Sequence, residues 1–176
     1  MKSALILALA PSLLFASASY AADKEKEFFS NARGNWVGPG EIVAGKFKGT
    51  KFVCTFVGTT PDKKMGLTLD GGCRVGMFTQ KMTATVEKDG KASYKGKFQD
   101  GAKGEGLDIV SGSVVDKTKM VLGINRNQLK GAMLAKISDP DSMTVTVSVR
   151  VEKELVPVIG MSLKRVDEVA TSSVPE

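Results

Sequence analysis

Residues able to do covalent chemistry are few. Cys54 and Cys73 are the two cysteines of a 176-residue chain that contains no His. Without imidazole there is no Ser-His-Asp or Cys-His nucleophile pair, no His-ligated zinc and no imidazole pH switch. Two thiols are too few for a structural zinc or an iron–sulfur centre. A redox pair would want Cys-x-x-Cys spacing at a helix N-terminus. Cys54 instead sits in a strand-like run, and Cys73 follows the turn residues Asp70-Gly71-Gly72. The expected role is a disulfide, from one strand to its neighbour or to the adjacent loop. Closing a loop of about twenty residues contributes about 3 kcal/mol in the chain-entropy picture.

Other chemical constellations have plainer readings. Glu105 with Asp108, or Asp62 with Asp70, would supply acid and base for glycoside cleavage, but each sits in a turn or on a polar face. Gly101 to Gly106 is glycine-rich like a phosphate loop, yet Leu107-Asp108-Ile109-Val110 continues as strand where a helix would be needed. Met65, Met77, Met82, Met120, Met133, Met143 and Met161 are soft ligands for copper in principle. They are scattered, without a Met-x-Met cluster, and adaptable core filling accounts for them better. No catalytic residue, metal site or cofactor is therefore expected, and the chain reads as a non-enzyme.

Location is written at the N-terminus. Lys2 precedes an apolar run from Ala4 to Ala18, broken by Pro11 and Ser12, and Ser19-Tyr20-Ala21 puts small residues before a cleavage point. The run is shorter than the about twenty residues that span a bilayer. Residues 1–21 are expected to be a cleaved signal peptide, residues 22–166 a single domain and residues 167–176 a disordered tail. The expected compartment is a bacterial periplasm, where a cysteine pair oxidises. The chain carries 25 Lys and Arg against 19 Asp and Glu. Lys46, Lys48 and Lys51 form one basic group, and Lys91, Lys95, Lys97 and Lys103 a second. Adjacent strands would join them into a stripe suited to anionic envelope lipid or polymer. Nucleic acid is not expected in this compartment.

Elements that must hold these residues read as β almost throughout. Met143, Val145, Val147, Val149 and Val151 alternate with Thr144, Thr146, Ser148 and Arg150. Phe52, Cys54 and Phe56 share a face, as do Met82, Ala84 and Val86, then Tyr94, Gly96 and Phe98, then Met120, Leu122 and Ile124. Turn chemistry separates the runs at Asp89-Gly90, Asp100-Gly101, Asp116-Lys117, Asn125-Arg126-Asn127 and Asp139-Pro140-Asp141. The expectation is an all-β fold, a single antiparallel up-and-down barrel of about 8–10 strands, which leaves no exposed edge. A two-sheet sandwich is the fallback. Asp23 to Ala32 would add a short helical turn before the first strand. An outer-membrane barrel needs two aromatic girdles, and one Trp, two Tyr and eight Phe are thin for that. The barrel is therefore not expected to span a membrane.

Gly34-Asn35-Trp36 opens the first strand just after Phe28 and Phe29. This resembles the Gly-x-Trp start of lipocalins and related calycin barrels. The resemblance implies that Trp36 closes one end of the barrel and that Arg165, on the last strand with Ile159, Met161 and Leu163, packs across its ring. The chain lacks the Thr-Asp-Tyr segment, the common disulfide position and the C-terminal helix of that family.

Two functions follow from such a barrel. In the first, the interior binds a small apolar or amphipathic ligand. Its expected lining is Phe52, Phe56, Met77, Met82, Tyr94, Phe98, Met120 and Leu122, with space left by Gly76, Ala84, Gly96 and Gly123. In the second, the barrel is filled. The protein then serves envelope maintenance or inhibits a hydrolase through its outer surface, with the loop Thr59-Thr60-Pro61-Asp62-Lys63-Lys64 as a contact.

Overall fold

A computed structural model describes residues 16–61, 64–90, 93–99 and 107–166. Helix α1 spans Ala16–Ala32. Ten strands follow: β1 Gly34–Ile42, β2 Lys51–Thr59, β3 Gly66–Val75, β4 Phe78–Asp89, β5 Ser93–Gln99, β6 Leu107–Asp116, β7 Lys119–Arg126, β8 Leu129–Asp139, β9 Ser142–Val151 and β10 Glu154–Val166. Each pairs antiparallel with the next, and β1 pairs with β10, so the sheet is a closed up-and-down barrel. Closure satisfies the backbone of both terminal strands, which an open meander would leave as edges. The expected tail at 167–176 and most of the expected signal segment lie outside the described residues.

Period-two alternation places the core inside. In β9, Met143, Val145 and Val147 are buried, and Val151 runs past the barrel into solvent. In β7, Met120, Leu122 and Ile124 are buried. In β2, Cys54 and Phe56 point in, while Lys51, Val53, Thr55 and Val57 point out. Pro157 has no N–H for the ladder, and the β9–β10 register shifts between Pro157 and Ile159.

Helix α1 is longer than the expected turn and runs across the position at which cleavage is expected. Its buried residues, among those whose side chains are described, follow that position. Glu25, Phe28, Phe29 and Ala32 are spaced i, i+3, i+4, i+7, which is one stripe of a helix. This stripe plugs the end of the barrel where β1 begins and β10 finishes. The opposite end, called the mouth below, carries the β1–β2, β3–β4, β7–β8 and β9–β10 connections.

Cys54 and Cys73 are direct cross-strand partners on β2 and β3, disulfide-bonded, with Cα atoms 4.0 Å apart. Of the two geometries expected, the strand-to-strand staple is the one present.

Candidate functional site: a plugged apolar interior

The plug is held by its C-terminal end. A helix leaves its last carbonyls without intrahelical partners and carries partial negative charge there. Here the indole Nε1 of Trp36 donates to the Ala32 carbonyl at 3.0 Å. The Arg165 guanidinium donates to the Asn31 carbonyl at 2.7 Å, to the Arg33 carbonyl, and to the Pro140 carbonyl at 2.8 Å. Arg165 is the register partner of Trp36, and its guanidinium carbon lies 4.4 Å from the Trp36 ring centroid. Gly34 makes this approach possible. Its φ is +102°, and a Cβ there would sit 2.5 Å from an Arg165 guanidinium nitrogen. The Gly-x-Trp start therefore has a local physical reason: the glycine clears the cation that caps the helix.

Further back along the plug helix is a half-buried polar cluster. Lys88 forms an ion pair with Glu25, the one charged residue buried among those described. Tyr94 is fully buried and its ring is 5.3 Å from Phe29. Its hydroxyl faces the Glu25 carboxylate and falls short of well-formed hydrogen-bond geometry. Burial, and then the negative charge of Glu25, push its pKa well above the ordinary tyrosine value of 10.0.

Above the plug lies a cavity of about 90 Å³. Phe28 and Ala32 form its floor, and residues of nine strands, β2 to β10, form its wall, all of them apolar. Met120, Met133, Met143 and Met161 contribute four flexible thioethers.

Of the expected lining, Phe56, Phe98, Met120 and Leu122 border this cavity. Phe52 and Met82 pack against the core without bordering it, and Tyr94 lies beside the plug. Met77 requires correction. It is 93% exposed, because Gly76, with φ of +58°, ends β3 and puts Met77 in the turn to β4. Among the small residues, Ala84 borders the cavity, and Gly76 lies in that turn. Gly96 and Gly123 open no interior space: a Cβ on Gly96 would strike the Thr85 backbone, and Gly123 abuts the Ser111 hydroxyl.

The alternation pointed to Met143, Val145, Ala84, Val86, Met161 and Leu163, and all six border the cavity. Phe28 and Ala32 were missed as lining. The Glu25, Phe28, Phe29, Ala32 spacing was the signal that would have found them.

Of the carboxylates weighed for acid–base work, Asp70 has a structural partner, and Asp116 and Asp139 serve their turns. Asp70 accepts the Thr83 hydroxyl at 2.9 Å. Asp116 accepts the N–H and hydroxyl of Thr118 at 2.9 and 2.8 Å, and these bonds hold its pKa below the usual value. The Ser142 hydroxyl and the Asp141 N–H do the same for Asp139. Asp62, Glu105 and the 101–106 glycine segment lie outside the described residues, as do Lys63, Lys91 and Lys103. Among the described residues, the two basic groups do not merge into one stripe. Lys51 is on β2 and Lys95 on β5, with β3 and β4 between them.

The fold and site define a closed antiparallel ten-strand barrel, stapled between β2 and β3, plugged at one end by a helix and apolar inside. Such a barrel is consistent with a lipocalin- or calycin-like architecture, with ten strands where lipocalins have eight. No family model and no curated protein matches the chain. Among solved structures, it is similar to Rv2717c from M. tuberculosis, with a TM-score of 0.62 and 15% identity over 81% of this chain and 98% of that one. At that identity the likeness is one of fold.

Proposed function

We propose that this protein is a non-enzymatic, lipocalin-like carrier of the bacterial periplasm whose plugged barrel holds a small apolar ligand, or the apolar part of an amphipathic one. The observation that carries the reading is the cavity of about 90 Å³ with a wholly apolar wall. A void so lined stays dry, and an engineered one of about 150 Å³ takes up benzene. The four lining methionines change rotamer at little cost, so the space adapts to a larger guest. The Cys54–Cys73 disulfide suits an oxidising compartment. No described helix is long and apolar enough to cross a membrane.

The test is native mass spectrometry of the protein purified from its own envelope, paired with an Ala84→Leu variant. Ala84 borders the cavity, so the larger side chain occupies the ligand's space. The expected result is an added mass on the wild type, lost on organic extraction and absent from a folded Ala84→Leu protein. A clean mass for the wild type, with no uptake of an added apolar fluorophore, would overturn this reading in favour of a filled barrel acting through its surface.

A further inference from the structure

Charge and exposed apolar surface are sorted between the two ends of the barrel. At the plug end, six basic residues stand in ion pairs: Lys64 with Glu87, Lys88 with Glu25, Lys95 with Asp89, Lys117 with Glu27, Lys119 with Asp116 and Arg165 with Asp141. The mouth is different. Its β1–β2 and β3–β4 connections stand side by side, because β2 and β3 are paired. Residues 43–56 and 71–83 contain Lys46, Lys48, Lys51, Arg74 and Lys81 and no Asp or Glu. All five basic side chains are exposed, and none forms an ion pair among the described residues.

Between these cations stand three of the largest apolar side chains of the molecule. Phe47 is 64% exposed, Phe78 80% and Met77 93%. The Lys46 ammonium lies 5.7 Å from the Phe47 ring centroid. Aromatic tips held out from a rigid barrel among exposed cations, with Glu41 opposite Lys51 as the carboxylate at the patch edge, are the two-part signature of an interfacial membrane contact. The apolar tips enter the headgroup region, and the cations meet anionic lipid.

We propose that the β1–β4 side of the mouth docks on an anionic lipid bilayer, with Phe47, Met77 and Phe78 inserted and Lys46, Lys48, Lys51, Arg74 and Lys81 against the headgroups. Docked this way, the barrel meets the membrane at its mouth, and the plug helix lies at the far end. The contact requires no cargo, so it stands or falls independently of the carrier function.

The experiment is co-sedimentation of the disulfide-intact protein with vesicles of phosphatidylethanolamine and phosphatidylglycerol, compared with phosphatidylcholine alone. Binding is expected to the anionic vesicles, weakening with salt. Reversing Lys46, Lys48 and Lys51 to Glu should weaken partitioning by more than roughly a hundredfold, since each cation near such a surface contributes about a factor of five. A Phe47→Ser/Phe78→Ser double variant, with all charges intact, should also lose binding. These positions are solvent-exposed, so both variants should fold with unchanged unfolding midpoints. In a Phe78→Trp variant, the new indole should shift to the blue on vesicles and be quenched by brominated lipid. Trp36, buried at the far end, should not respond. No sedimentation with anionic vesicles, binding unaffected by either substitution set, or a stable dimer that sequesters the Phe78→Trp indole without lipid would each overturn the proposal.

Discussion

Replacing Arg165 with Ala removes the donors to three carbonyls around the plug and the cation over Trp36. Charge-assisted hydrogen bonds and a desolvated cation–π contact are each worth about 1–3 kcal/mol and are not additive. We expect Arg165→Ala to lose about 3 kcal/mol in urea unfolding. Arg165→Lys should recover less than half, because a point charge cannot reach separate carbonyls as a fork does. A loss under about 1 kcal/mol would mean that the guanidinium is dispensable to the plug. Tyr94 behaves oppositely. Its folded-state pKa is raised, by burial first and Glu25 second. Below pH 10 both states keep the phenol neutral. Above it the unfolded chain ionises while the folded chain holds its proton, so stability falls as pH rises. Tyr94→Phe should flatten that alkaline decline. Since the hydroxyl faces Glu25 without a well-formed hydrogen bond, the substitution should cost little at pH 7. An unchanged alkaline slope would show that another group controls it.

At the scale of elements, the disulfide joins β2 to β3 across a sequence separation of 19 residues. A Cys54→Ala/Cys73→Ala protein should lose about 3 kcal/mol, measurable as a lower denaturant midpoint relative to the oxidised wild type. No difference between oxidised and cysteine-free protein would show that the β2–β3 pairing needs no staple. The strands that carry it were legible because half-buried antiparallel strands alternate in a strict period of two. The inward faces of β7 and β9 can be read directly from Met120, Leu122, Ile124 and Met143, Val145, Val147. Alternation also contains its own failure. Val75 and Met77 keep the same parity through Gly76, so the pattern runs into a turn that the positive φ of Gly76 makes. The plug was legible in part. One buried helical stripe, broken by charges, gives a weaker signal than a repeated strand face. What the sequence does not encode locally is which strands are neighbours, and that decided the fate of the supposed Lys51–Lys95 stripe.

The whole molecule depends on a seam between the two ends of the chain. Asn35 pairs with Val166, so closing the barrel brings together residues from the first and last strands. The other strand pairs are sequence neighbours that can form as hairpins, whereas this one requires the rest of the sheet to be in place. Pairings of such long sequence separation pay their loop-closure entropy before they return any contact energy, which makes such topologies slow to fold. The seam is also tight. A Cβ on Gly38 would sit 2.8 Å from the Leu163 Cα, so Gly38→Ala must push β1 away from β10. If the seam closes after the folding transition state, the destabilisation appears almost wholly as faster unfolding. A chevron plot should then show the unfolding arm raised and the folding arm unmoved. The hairpin variant Val145→Ala, in the β8–β9 pair, should slow folding as well. A Gly38→Ala protein whose folding arm drops by as much as its unfolding arm rises would place closure inside the nucleus, and the barrel would then form around its termini rather than ending with them.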